Sequence, residues 1–214
     1  SGNNMGPSKL VGVAGDHMNY LFYEQDPGRT IPDVRNYQYQ PRTDGVFPEF
    51  HWIDYDINDF YSGKGDLMKS ITDAEDPNLT QFLKDRGGKL IIYHGWSDTL
   101  IVAEDTLDYF NDMVNITFSG SIASASENAQ LFLAPGMGHC AGGPGPNSWD
   151  KLAPLVDWVE NNVAPSSIIA THSSNGSVDN ERPICAYPQQ ATYTGPTNGQ
   201  NNPENWIAEN FSCQ

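Results

Sequence analysis

The 214-residue chain carries 27 Asp and Glu against 11 Lys and Arg, a formal net charge of −16. Charge of that sign argues against nucleic acid, whose phosphates need clustered Lys and Arg, and against anionic membranes. A hydrophobic fraction of 38% with 5 Trp, 10 Tyr and 9 Phe suffices for a core, and no apolar run approaches the ~20 residues of a membrane span.

Residues 1–60 show no sustained period and are broken by Pro27, Pro32, Pro41 and Pro48. They read as irregular structure wrapped on something larger. Their aromatics, Tyr20, Phe22, Tyr23, Phe47, Phe50, Trp52 and Tyr55, either pack this segment onto the body or line an aromatic-substrate pocket. Asp54, Asp56 and Asn58 have the opening spacing of a calcium loop. Asp59 and Gly65 stand where that loop needs Gly and Glu, so calcium is not expected there.

From residue 66 to 86 the pattern is helical, with Leu79, Phe82 and Leu83 at helical spacing and Asp76-Pro77 as a helix start. Gly87-Gly88 ends it. Residues 89–93 read as a buried strand, and 103–114 as a helix with Leu107, Phe110 and Val114 on one face. A polar loop over 115–128 leads to a second strand, Leu131-Phe132-Leu133. Pro135-Gly136-Met137-Gly138 then turns into His139-Cys140, and 141–146 is too rich in Gly and Pro for regular structure. Trp149, Leu152, Val156 and Val159 mark an amphipathic helix, with Pro154 requiring a late start or a kink. Ile168-Ile169-Ala170 reads as a short strand, and the tail after Arg182 as mostly coil. Strands and helices alternating in this way predict the α/β class.

Each strand delivers one polar residue just past its end: Asp98 after the first and His139 after the second. In open α/β sheets chemistry collects beyond the carboxyl ends of the strands. An acid followed by a histidine suits the last two members of an α/β-hydrolase triad, whose order is Ser, Asp or Glu, then His. The nucleophile elbow G-x-S-x-G does not occur, because Gly95-Trp96-Ser97-Asp98-Thr99 has Thr in the last position. His94 reads as structural beside the site, and His17, His51 and His172 have no partners evident in sequence.

Four N-glycosylation sequons begin at Asn78, Asn115, Asn175 and Asn210. With the acidic charge and a polar tail they favour a secreted protein, and since no signal peptide stands at Ser1, a chain starting at an internal processing point. Of three cysteines, Cys185 and Cys213 bracket the tail and are placed to close it by a disulfide. Cys140 is left as either a buried thiol or one half of a bridge to a cysteine outside this chain.

The stretches KLIIYHGWSD (89–98) and APGMGHCAGGPG (134–145), with the helix near 149–163 and Arg182-Pro-Ile-Cys185, resemble the tannase and feruloyl esterase family of secreted serine esterases. The resemblance covers residues 60–190 well and the first 60 more loosely. It implies an α/β-hydrolase fold, of which this chain holds the C-terminal part of the parallel sheet. Residues 1–70 would be the end of an inserted lid, and 71–214 the catalytic domain with its disulfide-closed tail. Asp98 matches the family's acid, His139 its base and Cys140 the cysteine that bridges to one beside the nucleophilic serine. That serine and its cysteine then lie on an upstream N-terminal chain or segment, as in family members cut into two disulfide-linked chains. The family's lid carries a calcium site whose ligands have no match here, placing calcium upstream and no cofactor in this chain. The implied substrate is a phenolic ester, with hydroxycinnamates (feruloyl esterase) favoured over gallates (tannase). The non-enzymatic alternative is a binding or scaffold protein of the same fold that lacks a nucleophile.

Overall fold

The computed structural model describes Asn58, residues 61–63 and residues 66–214. The proposed aromatic lining, His17, His51, and Asp54 and Asp56 of the rejected calcium loop lie outside the described residues. The chain divides into two compact units, Ser1–Ala74 and Glu75–Gln214, against a boundary expected at residue 70. In the first unit the described secondary structure includes helix α1 (Asp66–Thr72).

The helix expected over 66–86 is not continuous. Residues 73–79 are irregular, and Asp76 accepts a hydrogen bond from the Asn78 N–H at 2.9 Å, which makes a local turn rather than a helix start. Only a π-helical turn, Gln81–Asp85, follows, and it carries the fully buried Leu83.

The body of the second unit is a β-α-β crossover. Strand β1 (Leu90–Gly95) pairs in parallel with β2 (Ala129–Ala134), from Leu90 opposite Ala129 to Gly95 opposite Ala134. Helix α2 (Ala103–Phe118) makes the crossover that parallel strands require. The side chains alternate between faces as the pleat demands. Ala129 and Leu131 face α2, joining Phe110, Met113, Val114 and Phe118. Phe132 and Ala134 face the other way, joining Met137, Ile168, Ala170, Ile184 and Ala186. Burial on both faces is why β2 reads as an unbroken apolar run, whereas β1, expected to be buried, is half-buried with Tyr93 exposed.

Three expectations change. The polar loop over 115–128 begins with the last turn of α2, which ends at Ser119 in the left-handed region (φ 53°). Ser121 then caps a short helix, α3 (Ile122–Ala125), by accepting from the Ser124 N–H. Helix α4 (Ala153–Asn161) takes the late start: Pro154 lies in its first turn, and the Asp150 carboxylate accepts from the N–H groups of Leu152 and Ala153, each at 2.9 Å. Its inward residue is Trp158, while Leu152, Val156 and Val159 are exposed. Trp149 lies before the helix, edge-on to Tyr93.

The tail is not mostly coil. The short strand near Ile168 is β3 (Ser167–Ser174), which pairs antiparallel with β4 (Ser177–Cys185) around Asn175-Gly176, both at positive φ. Strands β5 (Ala191–Tyr193) and β6 (Phe211–Cys213) form a further antiparallel pair. The expected disulfide joins Cys185 to Cys213, stapling β4 to β6. An isolated bridge between Phe132 and Ala186 brings the chain after β4 alongside β2. Among the described residues no helix is long and apolar enough to cross a membrane.

The reassignment of the inward face of α4 is open to direct measurement. Trp158→Ala should lower the unfolding free energy by about 3–5 kcal/mol, whereas Val159→Ala should change it by no more than about 0.5 kcal/mol. Urea denaturation of both variants checks this; similar losses in the two would put Val159 in the core as well.

Candidate active site

Parallel pairing of β1 and β2 puts the turns that follow them side by side. Trp96 N–H donates to Ala134 O at 2.9 Å and Ser97 N–H to Met137 O at 2.9 Å, so the first turn is hydrogen-bonded to the second. Gly95 makes that approach sterically available. A Cβ there would stand 2.5 Å from the carbonyl oxygens of both Met137 and Gly138, closer than any side chain tolerates. Beyond it, the loop 135–145 folds back on itself, with Gly138 N–H donating to Gly142 O at 3.0 Å and Gly145 N–H to Gly136 O at 3.1 Å. Those backbone contacts account for the density of glycine after the second strand.

Asp98 and His139, 41 residues apart in sequence, meet here: His139 Nδ1 lies 2.9 Å from Asp98 Oδ2. The other carboxylate oxygen, Oδ1, accepts from Leu100 N–H at 2.8 Å and Ile101 N–H at 3.1 Å. The Asp98 side chain is only 3% exposed and that of His139 39%. Burial pushes the Asp98 carboxyl up, but the Leu100 N–H, His139 and the Ile101 N–H together outweigh it and hold the group down at about 2. An ionised Asp98 is acceptor-only, so His139 carries a proton on Nδ1 and donates it to the carboxylate, which leaves Nε2 on the side of the ring away from Asp98. Cys140, the next residue, is an exposed thiol in this chain and sits at φ 60°.

His94 also belongs to this cluster, with Nδ1 2.7 Å from Thr106 Oγ1 and Nε2 3.0 Å from Ile101 O. His172 has a partner that its sequence position did not reveal: Asp179, the residue left out of register at the irregularity of the β3–β4 hairpin, at 2.6 Å. Hairpin pairing was the missing signal, since β4 was not expected. Of the sequon asparagines, Asn78, Asn115 and Asn175 are exposed. Asn210 is half-buried and its Nδ2 donates to Asn205 O at 2.9 Å. Thr117, the third residue of the Asn115 sequon, is buried, and its hydroxyl both accepts from Leu79 N–H and donates to Pro77 O. Among the described residues no group of three or more His, Cys, Asp or Glu is arranged to hold a metal ion.

A parallel β-α-β unit with a buried acid and an exposed histidine beyond its strand ends is consistent with the α/β-hydrolase class of fold. A family model described as tannase and feruloyl esterase matches residues 49–213. The chain belongs to the tannase and feruloyl esterase family. It is 40% identical over 169 residues to a mono(2-hydroxyethyl) terephthalate hydrolase from Piscinibacter sakaiensis, covering 75% of this chain and 26% of that protein. It is 35% identical over 148 residues to feruloyl esterase B from Aspergillus niger, covering 62% of this chain and 28% of that protein. The crystal structure of an esterase from Aspergillus oryzae superposes with a TM-score of 0.65 at 23% identity, covering 93% of this chain and 37% of that one. The chain thus spans about a quarter of the length of these two curated relatives.

Two predictions follow from the geometry. Gly95→Ala should force the turns apart, costing about 1–3 kcal/mol of stability and shifting the His139 ring resonances in NMR spectra. A folded-state carboxyl held below its unfolded value stabilises above the unfolded value, and that contribution fades as pH falls toward the folded one. Asp98 should therefore add a constant increment of stability above about pH 5 that is lost between about pH 4 and 2. In Asp98→Asn this part of the acid dependence should disappear from a series of denaturation curves.

Proposed function

We propose that this chain supplies the acid and base of a secreted serine carboxylic ester hydrolase that acts on phenolic esters. The observation that carries the reading is the Asp98–His139 hydrogen bond of 2.9 Å, formed at the two strand ends where the fold concentrates chemistry. In this reading the nucleophilic serine belongs to an upstream chain or segment, and Cys140 is disulfide-bonded to a cysteine beside it. The exposure of Cys140 next to His139 supports that bridge.

His139 Nε2 takes the proton from the serine hydroxyl as its oxygen bonds to the ester carbonyl carbon. Asp98 keeps the ring in the Nδ1–H tautomer and stabilises the imidazolium that results. When the tetrahedral intermediate collapses, the C–O bond to the leaving alcohol breaks, and the same proton passes from Nε2 to that alcohol. A water molecule, deprotonated in turn by Nε2, attacks the acyl-enzyme. The acid is released and the proton returns to the serine. The nearby half-exposed Trp96 adds an aromatic surface beside the turn that carries Asp98.

The substrate class rests on the relatives, whose names point to esters of aromatic acids. Ferulate-type hydroxycinnamate esters of plant cell-wall polysaccharide are the favoured substrates, and gallate esters the alternative within the family. Secretion is supported by the −16 charge, by exposed sequons at Asn78, Asn115 and Asn175, and by the Cys185–Cys213 disulfide, which suits an oxidising compartment. In this reading the family's calcium belongs to the lid upstream.

The enzyme that contains this chain should label with a serine-directed fluorophosphonate and hydrolyse methyl ferulate, and His139→Ala should lower kcat by about 10⁴-fold or more. Intact mass should show this polypeptide released from a larger species only on reduction. Absence of labelling and turnover in material carrying the bridge would leave a binding protein of the same fold.

A further inference from the structure

We propose that His94 is a positioning residue for the Asp98–His139 pair, acting through the turn that carries Asp98. The inference rests on the reading of that pair as the acid and base of the esterase.

His94 is the penultimate residue of β1, and its side chain is 13% exposed. Ile101 O can only accept, so Nε2 carries the proton and donates to it at 3.0 Å. Nδ1 is hydrogen-bonded to the Thr106 hydroxyl, from the first turns of α2, at 2.7 Å. One imidazole thus ties the end of β1 to the 98–101 turn and to α2. The turn it holds is the one whose Leu100 and Ile101 N–H groups fix Asp98 Oδ1. The same Nε2–H edge lies 3.3 Å from Asp98 Oδ2, the oxygen that receives the proton of His139 Nδ1, and places a partial positive charge beside it. Release of the Ile101 carbonyl frees the turn to rotate, which moves Oδ2 relative to His139. A displacement of about 1 Å at a catalytic pair is worth roughly 10²-fold in rate.

The test compares two replacements of similar size in the complete esterase. His94→Gln keeps an N–H donor for Ile101 O, and His94→Met keeps the bulk without the donor. His94→Met is expected to lower kcat by about 10–100-fold with KM within about twofold, and His94→Gln to recover kcat to within about fivefold of the wild type. Thr106→Val, which removes the hydroxyl that anchors Nδ1, should show a smaller loss of the same kind and decides the matter if His94→Met does not fold. Equal losses in the Met and Gln variants, or unchanged kcat in Met and Val, would overturn the proposal. His139→Ala is measured alongside: if it too leaves turnover intact, the acid–base reading fails rather than the role of His94.

Discussion

The close backbone approach at Gly95 is the constraint on which the site depends. A Cβ at this position would meet the carbonyl oxygens of Met137 and Gly138 at 2.5 Å, so the turns after β1 and β2 touch only because no side chain intervenes. Once they touch, the Ser97 N–H bonds to Met137 O, and Asp98 and His139 project from adjoining backbone. A hydrogen bond between side chains 41 residues apart thereby becomes almost a local event. Its cost in chain entropy has been met by the parallel pairing of two strands and by the core on each face.

That core is layered. One face of β1 and β2 packs on α2 and the other on the segment around β3 and β4. The second layer comes from the tail, whose disulfide joins the last residue of β4 to the last of β6. Ala186 and Tyr187, just after that cysteine, bond beside β2, and Tyr187 stands edge-on to Phe110 beneath the opposite face. The tail is thus part of what holds β2, and through β2 the loop that presents His139.

The electrostatics of the Asp98–His139 pair are asymmetric. Asp98 is buried yet ionised, because two backbone N–H groups and an imidazole replace the water it lost. His139 is open to solvent on its other side. A carboxylate with so much compensation stays ionised at ordinary pH and holds the facing imidazole by its Nδ1. Cys140, next in sequence, is exposed.

By itself the sequence determined the α/β class, the two interior strands, α2 with its buried face, and the identities of Asp98 and His139. Unbroken apolar runs, helical spacing and glycine-bearing turns are local signals, and strand order tells where chemistry collects. It also singled out the Cys185–Cys213 pair, since two cysteines bracketing a tail leave few choices. Only the tertiary structure decided the rest. Leu152, Val156 and Val159 have helical spacing, but Trp158 is the residue that faces the core, because the orientation of α4 follows from what it packs against rather than from its own period. β4 was not anticipated, because Ser177 to Glu181 is polar and only the tail after Arg182 was read, as mostly coil; its pairing with β3 across Asn175-Gly176 is a hydrogen-bond pattern that composition does not encode. His94 and His172 found their partners by the same route. Local physics chose the residues that could react, and the packing of distant segments chose which of them meet.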